Sequence, residues 1–237
     1  MRTLFISDLH LHQGRPDLTQ ALLHFLSNQA AGADQLYILG DLFEAWIGDD
    51  AIPPDQQPVI SALKQLSSAG TKLFFQHGNR DFLIGPAFSE LTGINILNET
   101  EIVDLPSSKA LLMHGDQLCS DDTEYQALRH QLRNPQWQQA FLSKTISERL
   151  AVAQQLRSAS KEKNAEKSMA IMDVNPTAVS EAMTDAGINL LIHGHTHRPA
   201  VHQIKTGRRI VLGDWDKTGW YLECTETGEQ LIEFPLV

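Results

Sequence analysis

YILGD, residues Tyr37 to Asp41, is the stretch on which the reading of the chain turns: a short apolar run closed by a glycine, with a carboxylate where the strand ends. Such a run suits an interior strand, and an acid just past its tip is placed for chemistry rather than packing. A Gly-Asp pair alone makes a turn in most proteins. Here four other stretches repeat the order of strand and then metal-competent side chain: TLFISDLH (Thr3 to His10), KLFFQHGNRD (Lys72 to Asp81), ALLMHGD (Ala110 to Asp116) and LLIHGHTHRP (Leu190 to Pro199). Five strand tips offering Asp, His and Asn point to one site, with Asp41 at its centre.

A chain of 237 residues buries a full core, and we expect one domain over residues 1–237 with a helical insertion at 123–168. With 42% hydrophobic and 20% charged residues, the composition is that of a soluble globular protein rather than a disordered one. No apolar run reaches the roughly 18 residues of a membrane span, and the N-terminus leads into a strand rather than a signal peptide. The expected location is the cytoplasm or its membrane face. Cys119 and Cys224 lack CxxC spacing and read as reduced packing thiols. The net charge of −10 argues against nonspecific nucleic-acid binding. No protein partner is expected. The charge is uneven: residues 125–170 hold 8 Lys+Arg against 3 Asp+Glu, the remainder 11 against 26. A basic segment in an acidic chain suits an anionic ligand or surface, and equally a solvated helix face.

In chain order, a strand over Thr3 to Ser7 ends at Asp8 and His10, which in extended backbone face the same way. Asp17 is expected to cap a helix carrying Leu18, Ala21, Leu22, Phe25 and Leu26. The YILGD strand follows, so strand, helix and strand form a parallel pair with a right-handed crossover. An acidic loop, Glu44 to Asp50, precedes a helix on Val59, Ile60, Leu63 and Leu66, and the strand Lys72 to Gln76 delivers Asn79, Arg80 and Asp81. A helix around Pro86 to Leu91 and strands at Ile94 to Leu97, Ile102 to Leu105 and Ala110 to Met113 lead to His114. Asp121 or Asp122 caps a helix, and Asn134 with Pro135 starts another. Trp137, Phe141, Leu142, Ile146 and Leu150 make this region greasier than a solvent-facing hairpin requires. Asn175 and Pro176 open a further helix, Gly187 closes it, and the strand Ile188 to Ile192 delivers His195 and His197. Short strands at Arg209 to Leu212, Trp220 to Cys224 and Gln230 to Phe234 complete the pattern.

Asp8, His10, Asp41, Asn79, His114, His195 and His197 form an oxygen and nitrogen set without thiolate, which suits Mn, Fe or Zn. Seven ligands are too many for one ion with an open position. Two ions about 3.5 to 4 Å apart, bridged by Asp41, account for them and leave room for a bridging hydroxide that attacks phosphorus in line. Gly40, Gly78, Gly115 and Gly194 let backbone and substrate approach. His12, His24, His77, His130, His193 and His202 read as structural or solvated, and a lone DxH or strand-end His elsewhere would read the same way.

The ordered strings SDLH, GD, GNRD, HGD and GHTH resemble the calcineurin-like metallophosphoesterase superfamily over nearly the whole chain. More narrowly, YILGDLFEAWIGDD, HGNRDFLIG, LLMHGDQLCSDD, SKEKNAEKSMAIMDVN (Ser160 to Asn175) and LIHGHTHRPAVH resemble the UDP-2,3-diacylglucosamine diphosphatases of lipid A synthesis in Gram-negative bacteria. The resemblance implies an α/β fold with two mixed sheets packed face to face in a four-layer αββα sandwich. It implies Mn-dependent hydrolysis of UDP-2,3-diacylglucosamine to UMP and 2,3-diacylglucosamine 1-phosphate at the inner face of the cytoplasmic membrane. Carried across, Asp8, His10, Asp41 and His197 hold one Mn, and Asp41, Asn79, His114 and His195 the other. The implied substrate contacts are Asn79, Arg80, Asp122, Ser160, Asn164, Lys167 and His195.

Where most of the superfamily has GNH, this chain has Arg80. The histidine often assigned as general acid is therefore missing. A diphosphate tolerates the loss, because its leaving group is a phosphomonoester with a second pKa of about 6. Arg80, permanently charged and forked, suits charge building on phosphoryl oxygens, with a salt bridge to Asp81 as its plain structural role. In the insertion, Lys161, Lys163 and Lys167 supply charge for diphosphate and headgroups, while Trp137, Phe141, Leu142, Ile146 and Leu150 line a groove for acyl chains on a peripheral, anionic membrane surface. The rivals are a phosphodiesterase or diphosphatase for a soluble nucleotide, which needs no greasy basic cap, and a non-catalytic scaffold, which would show eroded ligands.

Overall fold

Side-chain alternation in short strands builds the layers. Leu4 and Ile6 face one apolar cluster and Phe5 another; Leu36 and Ile38 repeat the division against Tyr37, as does Leu111 against Leu112. These inner strands are therefore apolar on both faces, the signature of a sheet covered on both sides. The computed structural model describes residues 1–166 and 173–236, with side chains up to Ala159 and again from Asp173. Ser160, Asn164 and Lys167, expected at the substrate, and Lys161 and Lys163, expected at headgroups, have side chains outside the described residues.

The elements follow in the order β1 (Thr3–Ile6), α1 (Pro16–Asn28), β2 (Gln35–Ile38), α2 (Gln57–Ser68), β3 (Lys72–Phe75), α3 (Pro86–Thr92), β4 (Ile94–Ile96), β5 (Thr100–Asp104) and β6 (Lys109–Met113). Then come α4 (Thr123–Leu132), α5 (Pro135–Leu142), α6 (Ile146–Glu166), α7 (Pro176–Ala186), β7 (Leu190–His193), β8 (Ala200–Ile204), β9 (Gly207–Val211), β10 (Thr218–Thr225) and β11 (Gly228–Pro235). One sheet runs β11-β10-β1-β2-β3-β4, with β1 to β4 parallel and β10 antiparallel to β1. The other runs β5-β6-β7-β9-β8, with β6, β7 and β9 parallel and β5 and β8 antiparallel at its edges. Phe5, Tyr37, Leu112, Ile192 and Leu222 pack between the sheets. Helices α1 to α3 cover the outer face of the first sheet and α7 that of the second. The mixed-sheet αββα sandwich expected from the sequence is present.

Three local readings change. Helix α1 starts two positions early, at Pro16, so Arg15 occupies the cap position without a side-chain cap bond, and Asp17 sits in the first turn as the partner of Arg15. Strand β8 was not anticipated; its exposed alternate residues, including Val201, belong to a sheet edge. Finally, Trp137 and Phe141 turn inward and stack on each other, whereas Leu142, Ile146 and Leu150 point out and are 41–48% exposed. The inward row of α6 is Arg149, Ala153 and Leu156, from which Ile146 and Leu150 are rotated by about a quarter turn. The caps otherwise follow the sequence: Asp122, Asn134 and Asn175 each accept backbone N–H bonds at the starts of α4, α5 and α7, and Gly187 ends α7 in the left-handed conformation.

Candidate metal centre

Parallel strands of the two sheets end at one rim, and their following loops carry the seven expected ligands. Asp8, His10 and His197 offer atoms within 4.8 Å of one another, as do Asp8, Asp41 and His114. Asn79 completes the second group: its Oδ1 lies 3.1 Å from His114 Nε2 and 3.0 Å from His195 Nδ1. Asp41 stands between the halves, with Oδ2 3.8 Å from His10 Nε2 and Oδ1 3.8 Å from His114 Nε2. All seven residues thus converge. His195 and His197, two apart in sequence, divide between the halves.

The backbone that achieves this is not the extended chain the i, i+2 spacing implied. Asp8, His10, Asp41, His195 and His197 have φ of 57°, 49°, 53°, 67° and 54°, and among the described residues they are the non-glycine positions with positive φ. A left-handed turn costs a side chain about 1 kcal/mol or more, and such strain collects at functional sites. It is held by hydrogen bonds: Asp8 N to Gly40 O at 3.1 Å, His10 N to Asp41 O at 3.0 Å and His195 N to Asp8 Oδ2 at 2.9 Å. Gly40 and Gly78 are obligatory here, since a Cβ on either would strike the other strand's loop, and on Gly78 it would overlap the Asp41 carboxylate.

Residues that sequence reasoning passed over brace the ligands. Asp81, fully buried, accepts N–H bonds from Asp41, Leu42, Phe43 and Gly78, binding the YILGD loop to the GNRD loop. Its oxygens are taken by backbone, so the Arg80–Asp81 pairing considered from sequence is not its role. Glu44 Oε2 lies 3.0 Å from His10 Nδ1, and Asp214 Oδ2 3.3 Å from His197 Nδ1. His114 Nδ1 donates to Leu39 O at 2.7 Å, which leaves its Nε2 lone pair facing Asn79. The signals were an acid three residues past Asp41 and another two past the end of the expected strand Arg209 to Leu212, neither distinguishable from ordinary loop acids in sequence.

Electrostatics follow from this crowding. Burial opposes ionisation of Asp8, but the His197 imidazole 3.5 Å away, with the charges of His114 and His10, holds its carboxyl well below the usual range. Burial would lower His197; Asp214 and Asp8 raise it to about 10. His195 is lowered to about 4, first by burial and then by the neighbouring His114 charge. Burial and the Asp41 charge push Asp81 upward. Asp8 Oδ1 is buried, aimed at the His10 and His197 ring nitrogens, and has no hydrogen-bond partner. An orphaned carboxylate oxygen among imidazoles and carboxylates fits a divalent cation.

Beside the ligands opens a cavity walled by Trp46, Phe82, Trp137, Phe141 and Leu156, with Asn79 and Arg80 at its metal end. Arg80 N donates to Asp41 Oδ1 at 2.8 Å, and its Nε is buried without a partner. Asp122 is committed to the cap of α4 through Tyr125 N. The basic segment turns inward: Arg129 meets Asp116 and Glu99, Arg133 meets Glu99, Arg149 meets Asp50, and Arg157 meets Glu44. For the outer carboxylates we expect Glu44→Gln and Asp214→Asn each to weaken metal binding by about 10- to 100-fold while thermal unfolding of the metal-free protein changes little, measured by calorimetric titration.

The Calcineurin-like phosphoesterase family model matches residues 1–199. A UDP-2,3-diacylglucosamine hydrolase of Marinobacter nauticus is 50% identical over 95% of this chain and 94% of its own length. Another, from Cellvibrio japonicus, is 49% identical over 96% and 97%. Among solved structures, an archaeal phosphodiesterase superposes with a TM-score of 0.50 at 12% identity, over 99% of this chain and 100% of that one, and shares the fold. With ligand-bearing loops on a sandwich of this architecture and relatives of this closeness, the chain belongs to the calcineurin-like phosphoesterase family.

Proposed function

We propose that this chain hydrolyses the diphosphate of UDP-2,3-diacylglucosamine to UMP and 2,3-diacylglucosamine 1-phosphate, as a single domain over 1–237 with an insertion at 123–168 that walls the lipid cavity. The observation that carries the reading is the junction of two features: seven metal-competent side chains at one rim, opening directly into a cavity walled by apolar side chains. A soluble nucleotide would leave the Trp137 and Phe141 wall without a partner. The names of the close relatives support the same substrate.

Asp8, His10, Asp41 and His197 would hold one Mn ion, and Asp41, Asn79, His114 and His195 a second. When bound, such ions acidify water and neutralise charge on phosphoryl oxygens. The chain's own residues do the rest. Asp41, locked by Asp81 and Arg80 N, presents one oxygen to each half of the site. Arg80, beside Asn79 at the metal end of the cavity, directs its guanidinium at the phosphoryl oxygens as charge grows there. Water attacks the nucleotide-side phosphorus, and the bond to the sugar-phosphate oxygen breaks. That oxygen departs as part of a phosphate dianion, so the absence of an imidazole at position 80 costs little. His195 and Asp122, with Ser160, Asn164 and Lys167, complete the substrate contacts.

No helix among the described residues is long and apolar enough to cross a membrane. The outward patch of Leu142, Ile146 and Leu150 rests the chain peripherally on the cytoplasmic face of the inner membrane, where a diacylated substrate resides. Because the described arginines of the cap are paired to the body, the attraction to anionic lipid rests on the lysines 161, 163 and 167 and the greasy patch.

Hydrolysis in oxygen-18 water with Mn should place label in UMP; label in the sugar phosphate reverses the direction of attack, and no turnover removes the reading. Trp137→Ser or Phe141→Ser should cut kcat/KM on the diacylated substrate by at least about 10-fold while sparing a short-chain analogue, with equal losses on both arguing against an acyl cavity. Replacing Leu142, Ile146 and Leu150 together by Ser should instead abolish sedimentation with anionic vesicles and leave turnover of detergent-dispersed substrate unchanged; retained sedimentation would move the membrane contact elsewhere.

A further inference from the structure

Arg133, at the end of α4, lies outside the ligand set and outside the substrate contacts assigned above. Its Nη2 donates to Gly78 O at 2.9 Å and approaches His77 O at 3.4 Å. Its Nε is 3.3 Å from Glu99 Oε1, and its guanidinium lies 5.3 Å over the Phe82 ring. One planar cation therefore grips the 77–82 loop on both sides of Asn79 and Arg80: two carbonyls before them, an aromatic face after them. Inside that grip, Gly78 N bonds Asp81 Oδ1 at 3.0 Å, Arg80 N bonds Asp41 Oδ1, and Asn79 Oδ1 sits between the imidazoles of His114 and His195.

We propose that Arg133 is a positioning residue for one half of the metal centre, fixing the 77–82 loop so that the Asn79 amide oxygen meets His114 and His195 while Arg80 faces the cavity. The proposal rests on the reading of Asn79 as a ligand and Arg80 as the charge-stabilising group. A carbonyl bond from Nη2, an ion pair from Nε and a stacked face are demands on one planar fork, and a lysine cannot meet all three. In the other half of the centre, Asp8, His10 and His197 are braced by Glu44 and Asp214, and the shared Asp41 is its tie to the loop that Arg133 holds, through Arg80 N and Asp81. Loss of Arg133 should therefore weaken the ion of Asn79, His114 and His195 more than the other, which a general loosening of the fold would not do. Arg133 also brings the wall of the cavity and the metal loop into contact, since it lines the cavity with Phe82.

The test is Mn titration of the whole protein by calorimetry and electron paramagnetic resonance, with kcat measured alongside. The parent should take up two ions. Arg133→Gln should lower affinity for one ion by about 10- to 100-fold, lower the other by several-fold less, and lower kcat in step. Arg133→Lys, which keeps the charge and the fold, should recover only part of that loss. Parent affinity for both ions in Arg133→Gln, equal weakening of both, or full recovery in Arg133→Lys would each overturn the proposal. If the parent holds a single ion, or Asn79→Ala leaves both affinities intact, the ligand assignment itself falls and takes the proposal with it; an impaired Asn79→Ala beside an unimpaired Arg133→Gln rejects the positioning role alone.

Discussion

Asp41 is the point on which the structure depends. It leaves the end of β2 in a left-handed turn, buried, with its two oxygens aimed at imidazoles that arrive from different sheets. A carboxylate in that position is stable only if its backbone is held and its charge is answered. Asp81 does the first by accepting the N–H groups of Asp41, Leu42 and Phe43, and the histidines do the second. Four further ligands share the same backbone conformation, each at a cost of order 1–3 kcal/mol, and the sandwich beneath supplies the rigidity that keeps them there. The strain lies where the chemistry lies, and the packed layers offset it.

Much of this was legible in the sequence because strand and ligand occur in the same short strings. An apolar run that must be covered on both faces, ending in Asp or His, gives element, direction and tip together, so the seven side chains that converge at the rim could be named as candidate ligands before any coordinates. What was not legible is how the tips turn. Spacing of two residues suggested extended backbone for Asp8 and His10, whereas crowding by Gly40, Gly78 and the opposing loops forces left-handed turns. The bracing acids Glu44, Asp81 and Asp214 carry no local pattern; only tertiary contact distinguishes them from solvated loop residues. Likewise, Phe141 and Leu142 are adjacent and equally apolar, and helix rotation alone sends one into the cavity and the other to the surface.

The basic character of residues 125–170 has a different meaning in three dimensions than along the chain. Arg129, Arg133, Arg149 and Arg157 sit on α4 and α6 or at their ends, and each meets an acid of the body: Asp116, Glu99, Asp50 or Glu44. Arg149 is the most enclosed of them, with its side chain only 3% exposed, and also donates to Ile47 O. Charge asymmetry between a segment and the rest of its chain can thus be a fastening between the two. Here it fastens the cavity wall to the loops that carry ligands on both sides of Asp41, through Glu44 to His10 and through the 77–82 loop to Asn79.

The pairing of β10 beside β1 sets a timetable for assembly. Strand β1 is synthesised ahead of the rest of the sandwich, yet one of its edges is closed by residues more than two hundred positions later, and Trp215 N bonds Asp8 O from the same late stretch. Until that stretch emerges, β1 offers an open, apolar edge and His197 lacks Asp214 behind it. Synthesis therefore passes through a stage with a half-built sheet, and the brace on His197 arrives only with the late stretch that carries Asp214 and Trp215.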